Sequence, residues 1–211
     1  MEVIEVELLD VAEGQKTGHF LDQRENRSAL CALVRLGDRV LDAFCHTGTF
    51  GTHAGLYGAG SVTFLEISDI ALSGARENAR LNAIEDRSTF VLGNAFDVLR
   101  QMERERDSFN VVILDPPAFT KSKDTLEGAI RGYKEVNLRA FKLIRPGGFL
   151  VSCSCSHHMS RDLFMQVVVE AGQDAGRRLR LVEYRTQAKD HPILVGMPET
   201  EYLKCAILQV L

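Results

Sequence analysis

Four short segments of this 211-residue chain carry residue types that can do chemistry together. Asp42-Ala43-Phe44-Cys45-His46-Thr47-Gly48-Thr49-Phe50-Gly51 closes an apolar run and opens a helix-like one. Its small residues sit where backbone N–H groups can approach a ligand at a helix N-terminus. The full G-x-G-x-x-G is missing, which argues against a pyrophosphate dinucleotide, where the second glycine admits the phosphates. Glu66 ends the next apolar run, 24 residues after Asp42, where a carboxylate can accept both hydrogen bonds of a ribose diol. Asp42 is then left to pair with a cation. Asn94, in Gly93-Asn94-Ala95-Phe96-Asp97, can meet an adenine edge with Phe96 packed nearby, although Asn ahead of a helix also serves as an N-cap.

The other two segments are more reactive. In Leu114-Asp115-Pro116-Pro117-Ala118-Phe119 two prolines stiffen a turn and restrict the residue before each, presenting a carboxylate and a neighbouring carbonyl. A ring with an exocyclic amine and a ring N–H needs such an acceptor pair, and Phe119 offers it a stacking face. In Ser152-Cys153-Ser154-Cys155-Ser156-His157-His158, strand alternation puts Cys153 and Cys155 on one face, with Cys155 nearer the carboxyl end where ligands sit. A thiolate there can act as a nucleophile if local cations or a helix N-terminus lower its pKa. Zinc binding is a second reading, but C-x-C followed directly by H-H matches no usual ligand spacing, so no metal is expected. Cys31, Cys153 and Cys205 read as buried small hydrophobes.

Strand-length apolar runs alternating with helix-length segments must hold these motifs, a pattern of βαβ units. Strands are expected near Arg39 to Phe44, Ser61 to Glu66, Ser88 to Leu92, Asn110 to Asp115, Phe149 to Cys155, Leu179 to Arg185 and Tyr202 to Val210. Leu126, Ala129, Ile130, Tyr133, Asn137, Ala140, Phe141 and Ile144 form one helical stripe, and Leu163, Phe164, Val167, Val168 and Ala171 another. Pro146-Gly147-Gly148 is expected to end the first of these helices. No convincing helix precedes the last strand, so an antiparallel edge pairing is open to it. Residues 1–15, acidic with alternating Val, Ile and Leu, read as a short strand or hairpin attached to one domain over 16–211.

At 45% hydrophobic and 26% charged residues the composition is that of a globular protein, and a net charge of −4 excludes a strongly basic field over the whole molecule. One stretch runs against it: Lys121 to Arg145 holds seven basic residues and three acidic ones, so it can hold phosphates beside a reacting base or simply be a solvated helix face. No apolar run is long enough to span a bilayer, and five cysteines read as thiols in a reducing compartment, so a cytoplasmic protein without a membrane partner is expected.

Together these elements resemble the class I S-adenosylmethionine-dependent methyltransferases, and more closely the ribosomal large-subunit RNA cytosine-5 methyltransferase I family. The closer resemblance is carried by Lys16-Thr17-Gly18-His19-Phe20-Leu21-Asp22-Gln23-Arg24, the Asp-Pro-Pro turn, Arg131-Gly132-Tyr133-Lys134, Ser154-Cys155-Ser156, Asp190-His191-Pro192 and Glu201-Tyr202-Leu203-Lys204, in that order over residues 15–211. It implies a Rossmann-like α/β fold with a seven-stranded, mostly parallel sheet, helices on both faces and an antiparallel last strand. It implies an S-adenosylmethionine site, leaving S-adenosylhomocysteine as product, built from Gln23, Arg24, Asp42, Phe44, His46, Thr47, Gly48, Glu66, Ile67, Asn94, Ala95, Asp115 and Pro116. Pro117, Phe119, Lys121, Arg131 and Tyr133 are the implied contacts to RNA, 23S rRNA by analogy, and a homodimer is common in the family. The implied reaction makes 5-methylcytosine: the Cys155 thiolate adds to C6 of cytosine while Asp115 holds the N3 and amine edge. Two departures stand out. A PUA-type RNA-binding domain usual in the family is missing from these residues, and Asn94 stands where many methyltransferases have Asp.

Three other readings follow from the same residues. Asp-Pro-Pro with a following Phe also marks amino-group methyltransferases acting on adenine or guanine, which need no cysteine. An NAD-dependent oxidoreductase is disfavoured by the missing glycines, and a noncatalytic nucleotide-binding module would leave Cys155 merely buried.

Overall fold

The computed structural model describes residues 20–119 and 125–211. The expected N-terminal strand or hairpin, residues 16–19 of the first motif, and Lys121 lie outside the described residues.

Seven strands form one sheet: β1 (Arg39–Ala43), β2 (Ser61–Glu66), β3 (Ser88–Leu92), β4 (Phe109–Leu114), β5 (Ile144–Ser154), β6 (Leu179–Arg185) and β7 (Lys204–Val210). Their order is β3-β2-β1-β4-β5-β7-β6, with the first five parallel and β7 antiparallel to both of its neighbours. The chain order reverses direction on either side of β1, so β1 and β4 frame the crevice in which ligands of such sheets collect.

Side-chain alternation divides the core in two. Leu41, Ala43, Val112, Leu114, Leu150 and Ala206 face α4 (Ala95–Glu105), α5 (Leu126–Leu143) and α6 (Arg161–Asp174). Val40, Val62, Phe64, Val111, Ile113 and Ile207 face α2 (Thr49–Leu56) and α3 (Asp69–Leu81). The expected stripes pack as read: Ala129, Tyr133, Asn137, Ala140 and Phe141 of α5 and Phe164, Val167, Val168 and Ala171 of α6 are buried. Helix α2 lies tightly on β2, because a Cβ on Gly51 would fall 2.3 Å from the Phe64 ring.

Three expectations need correction. The fifth strand begins at Ile144, ahead of Pro146-Gly147-Gly148, so that triplet does not end the helix. Ile144 already pairs with Phe109 while Phe149 pairs with Val111, and the residues between form an excursion that Gly147 turns at φ 84°. Cys31 is exposed, while Cys153 and Cys205 are buried and directly opposite one another in β5 and β7. The ladder also stops sooner than expected at three ends that matter. Strand β4 ends at Leu114, β5 at Ser154, and β7 starts at Lys204, leaving Asp115, Cys155 and Tyr202 just beyond the sheet.

Candidate active site

The loop after β1 is a strained cradle. Phe44 (φ 62°), His46 (φ 51°) and Gly48 (φ 79°) all adopt left-handed backbone, rare for the two residues with side chains and typical of functional loops. Only glycine fits at the last, since a Cβ there would stand 2.8 Å from that of Ala75. The buried Asn78 amide pins the loop from α3 by donating to the Thr47 carbonyl at 3.0 Å.

Two carboxylates frame this loop. Glu66 accepts from the backbone N–H groups of His46, Ile67 and Ser68 at 2.9, 2.9 and 3.0 Å, which fixes its plane at the end of β2. Beside it Ile67 is 67% exposed, an apolar surface with nothing packed over it. Asp42 is 1% exposed, and its Oδ2 accepts from Gly51 N at 2.8 Å while Oδ1 is buried with no hydrogen-bond partner. Burial pushes the Asp42 carboxyl up to about 8; the Gly51 N–H opposes the rise, and the charges of Asp115 and Glu66 add to it. An orphaned buried oxygen among three acidic groups is chemistry that suits a cationic ligand.

With its folded pKa near 8 and an ordinary value of 3.8, Asp42 favours folding fully below about pH 4, and that contribution is lost as pH rises toward 8. Denaturant melts of the unliganded protein should therefore show wild type losing ground to Asp42→Asn between pH 5 and pH 8. The shift should reach about 2 to 4 kcal/mol; parallel curves would show that the carboxyl is already ionised.

On the far side of the crevice, Gln23, 3% exposed, donates from Nε2 to Asp115 Oδ1 at 3.0 Å. Asn94 caps α4 by accepting from Phe96 N at 2.9 Å, the N-cap alternative weighed from sequence. Phe119 is half-buried among Phe44, Phe96 and Tyr133, with ring centroids 6.2, 5.7 and 4.7 Å away.

Cys155 is partly exposed. Because Leu114 pairs with Ser152, Cys155 stands two residues, about 7 Å of strand, past the level of Asp115. What holds the thiol's surroundings was not legible as a site. Tyr133 is fully buried, so it offers no open surface to a substrate; its hydroxyl sits between those of Ser154 (2.9 Å) and Ser156 (3.0 Å). Lys204 is 2% exposed and donates from Nζ to the carbonyls of Ser156 (2.7 Å) and Tyr202 (2.8 Å). Burial lowers its pKa to about 8, and a Cys155 thiolate and Glu201 act against that fall. A lysine opening the otherwise apolar run Leu203-Lys204-Cys205-Ala206-Ile207 was the available sign of a special position. Tyr202 in turn donates to Asp22 at 2.8 Å and its ring lies 5.7 Å from that of His157.

The basic stretch has a different character from the phosphate-holding reading. Arg131 pairs with Glu127, Lys134 with Glu170 and Asp174, Arg139 with Glu103 and Glu135, and Lys142 with Glu103, while Arg145 donates to Ser108. Carboxylates of α4, α5 and α6 thus engage Lys134, Arg139 and Lys142, which brace helices, while Arg131 is 76% exposed beside a 90% exposed Glu127. Among the described residues no helix is long and apolar enough to cross a membrane.

Comparison with known proteins identifies the family. The model of the S-adenosylmethionine-dependent methyltransferase family matches residues 3–195. The ribosomal RNA large subunit methyltransferase I of Aeromonas hydrophila is 45% identical over 203 residues, 96% of this chain and 51% of the relative. That of Pseudoalteromonas atlantica is 42% identical over 205 residues, 97% and 52%. The chain thus spans about half the length of these relatives. Among solved structures, an S-adenosylmethionine-dependent methyltransferase from Agrobacterium tumefaciens shares the fold at a TM-score of 0.69 and 19% identity, covering 92% of this chain and 63% of its own. The family model spans most of the chain, and the chain therefore belongs to the S-adenosylmethionine-dependent methyltransferase family.

Proposed function

We propose that this chain methylates C5 of a cytosine in RNA, with large-subunit ribosomal RNA as the substrate, through a covalent intermediate on Cys155. The observation that carries the reading is a partly exposed thiol at the carboxyl end of β5, next to a buried lysine and within one crevice of the Asp115-Pro116-Pro117 turn. The names of the 45% and 42% identical relatives support the RNA and the subunit.

Asp42, Glu66, Ile67, Asn94, Ala95 and the Phe44 to Gly48 loop would hold the cofactor, with Gln23, Arg24, Asp115 and Pro116 closing the crevice. Three acidic side chains suit a sulfonium, and the Glu66 carboxylate suits a diol. Bound S-adenosylmethionine supplies an electrophilic methyl group. A cytosine ring carbon is too weak a nucleophile to take it up unaided. The Cys155 thiolate forms a bond to C6, and the displaced C5–C6 electron pair makes C5 nucleophilic. After methylation a base takes the C5 proton, the double bond returns, and the C6–S bond breaks to release the thiolate. Asp115 accepts a hydrogen bond from the amine; in the adduct N3 takes a proton from water, and Asp115 accepts from the N3–H that results. Phe119 and Pro117 flank the base, which must leave its stack to enter.

With Lys134, Arg139 and Lys142 engaged, the RNA backbone is assigned to the rim just beyond Cys155, where His157 and His158 are exposed. Incubation with radiolabelled S-adenosylmethionine and unmodified rRNA, followed by digestion to nucleosides, should yield 5-methylcytidine. Label in methylated adenosine or guanosine would overturn the reading and favour amino-group chemistry at the Asp-Pro-Pro turn.

A further inference from the structure

Behind Asp115 runs a line of three polar side chains whose polarity has only one solution. Arg185, at the end of β6, donates from Nε to Asn26 Oδ1 at 2.9 Å. A guanidinium can only donate, so the Asn26 oxygen must face it. The other end of the same amide donates to the Thr186 carbonyl at 3.2 Å, which can only accept, and to Gln23 Oε1 at 2.7 Å. Gln23, with its oxygen so engaged, must turn its Nε2 toward Asp115, and donates to Oδ1 at 3.0 Å. Asn26 and Gln23 are 1% and 3% exposed, so water cannot readily substitute for a wrong partner. Arg185 is further tied by Glu183 and by the Glu25 carbonyl, which keeps the line's starting point in place.

We propose that Arg185 and Asn26 are positioning residues that hold Asp115 as an oriented, ionised acceptor by dictating which end of the Gln23 amide it meets. This rests on the reading in which Asp115 accepts from the substrate base. One acceptor site of Oδ1 is occupied by Gln23, so the orientation of that amide acts directly on the carboxylate that meets the base. The groups that press the other way are acidic: Asp42 from β1 and the Cys153 thiol from β5 both sense the Asp115 charge, and each resists its ionisation when itself charged. A fixed N–H donor is what offsets them.

Asn26→Asp tests this with little change of shape. The new carboxylate still pairs with Arg185 but has no N–H to give, so the Gln23 amide reverses and turns its oxygen on Asp115. With rRNA and S-adenosylmethionine as substrates, kcat should fall at least tenfold at pH 7. The acid limb of the kcat profile should move up by at least one pH unit, with KM for S-adenosylmethionine within about twofold of wild type. Arg185→Met breaks more bonds yet leaves the Thr186 carbonyl to hold the polarity of the Asn26 amide, so it should shift the limb less. An acid limb unmoved in Asn26→Asp and Arg185→Met overturns the proposal, as does greater kinetic damage in Arg185→Met, which is what simple bracing would give. Thermal melts of both variants show whether kcat losses follow unfolding, in which case the limb would stay where it is in wild type. Wild-type activity in Asp115→Asn would instead remove the reading of Asp115 itself, whatever Asn26 does.

Discussion

Cys155→Ala should lower kcat for cytosine methylation by about 10³-fold or more, because loss of a nucleophile removes a route that the other groups cannot replace. Affinity for S-adenosylmethionine, measured by calorimetry, should stay within about twofold, since the residues proposed to hold the cofactor do not include Cys155. Retention of more than a tenth of wild-type turnover would mean that C6 is not attacked by this thiol. The second arm of the argument is Lys204. Its buried ammonium ties the carbonyl one residue past Cys155 and favours the thiolate. In Lys204→Met, iodoacetamide should alkylate Cys155 about tenfold more slowly at pH 7. The same loss of reactivity should appear in wild type on the acid side of the thiol's own titration, not above it.

Asp115→Asn should cost about 10² to 10³ in kcat, the usual range for removing one group that meets charge as it develops. An amide keeps the shape of the turn that Pro116 and Pro117 stiffen. It presents an N–H where the adduct's N3–H or the 4-amino group needs an acceptor, and it sets that N–H against the Gln23 donor. The loss should fall on kcat more than on KM for the RNA, whose backbone contacts lie elsewhere. An Asp115→Asn enzyme with raised KM and unchanged kcat would make the side chain a docking contact only.

The sequence carried much of this architecture. Runs such as Asn110 to Leu114 and Phe149 to Ser154 are apolar on both faces because helices cover both sides of a parallel sheet, so periodicity and length located them. Asp42, Glu66, Asp115 and Cys155 were legible because each lies within one residue of a strand's carboxyl end, and strand ends follow from local pattern. The misread places depended on distant partners. Ile144 is extended because Phe109 is there to pair with it, not because Pro146 follows. Lys134, Arg139 and Lys142 read as part of a basic face until Glu103, Glu170 and Asp174 of neighbouring helices met them. Asn26 and Arg185 lie 159 residues apart, and Lys204 reaches a carbonyl 48 residues earlier. No local spacing encodes such pairs; the Glu201-Tyr202-Leu203-Lys204 motif marked Lys204 without showing what it reaches.

The central claim is a bond between Cys155 and C6 of cytosine, and it can be trapped. An RNA substrate carrying 5-fluorocytidine has no C5 proton to lose, so elimination stalls after methylation and the enzyme stays attached. Mass spectrometry of the nuclease-digested, protease-digested complex should find the methylated 5-fluorocytidine adduct on the Cys155 peptide, dependent on S-adenosylmethionine and absent from Cys155→Ala. Full turnover of unmodified RNA by the same preparation, with no adduct on any cysteine from the fluorinated RNA, would contradict the account.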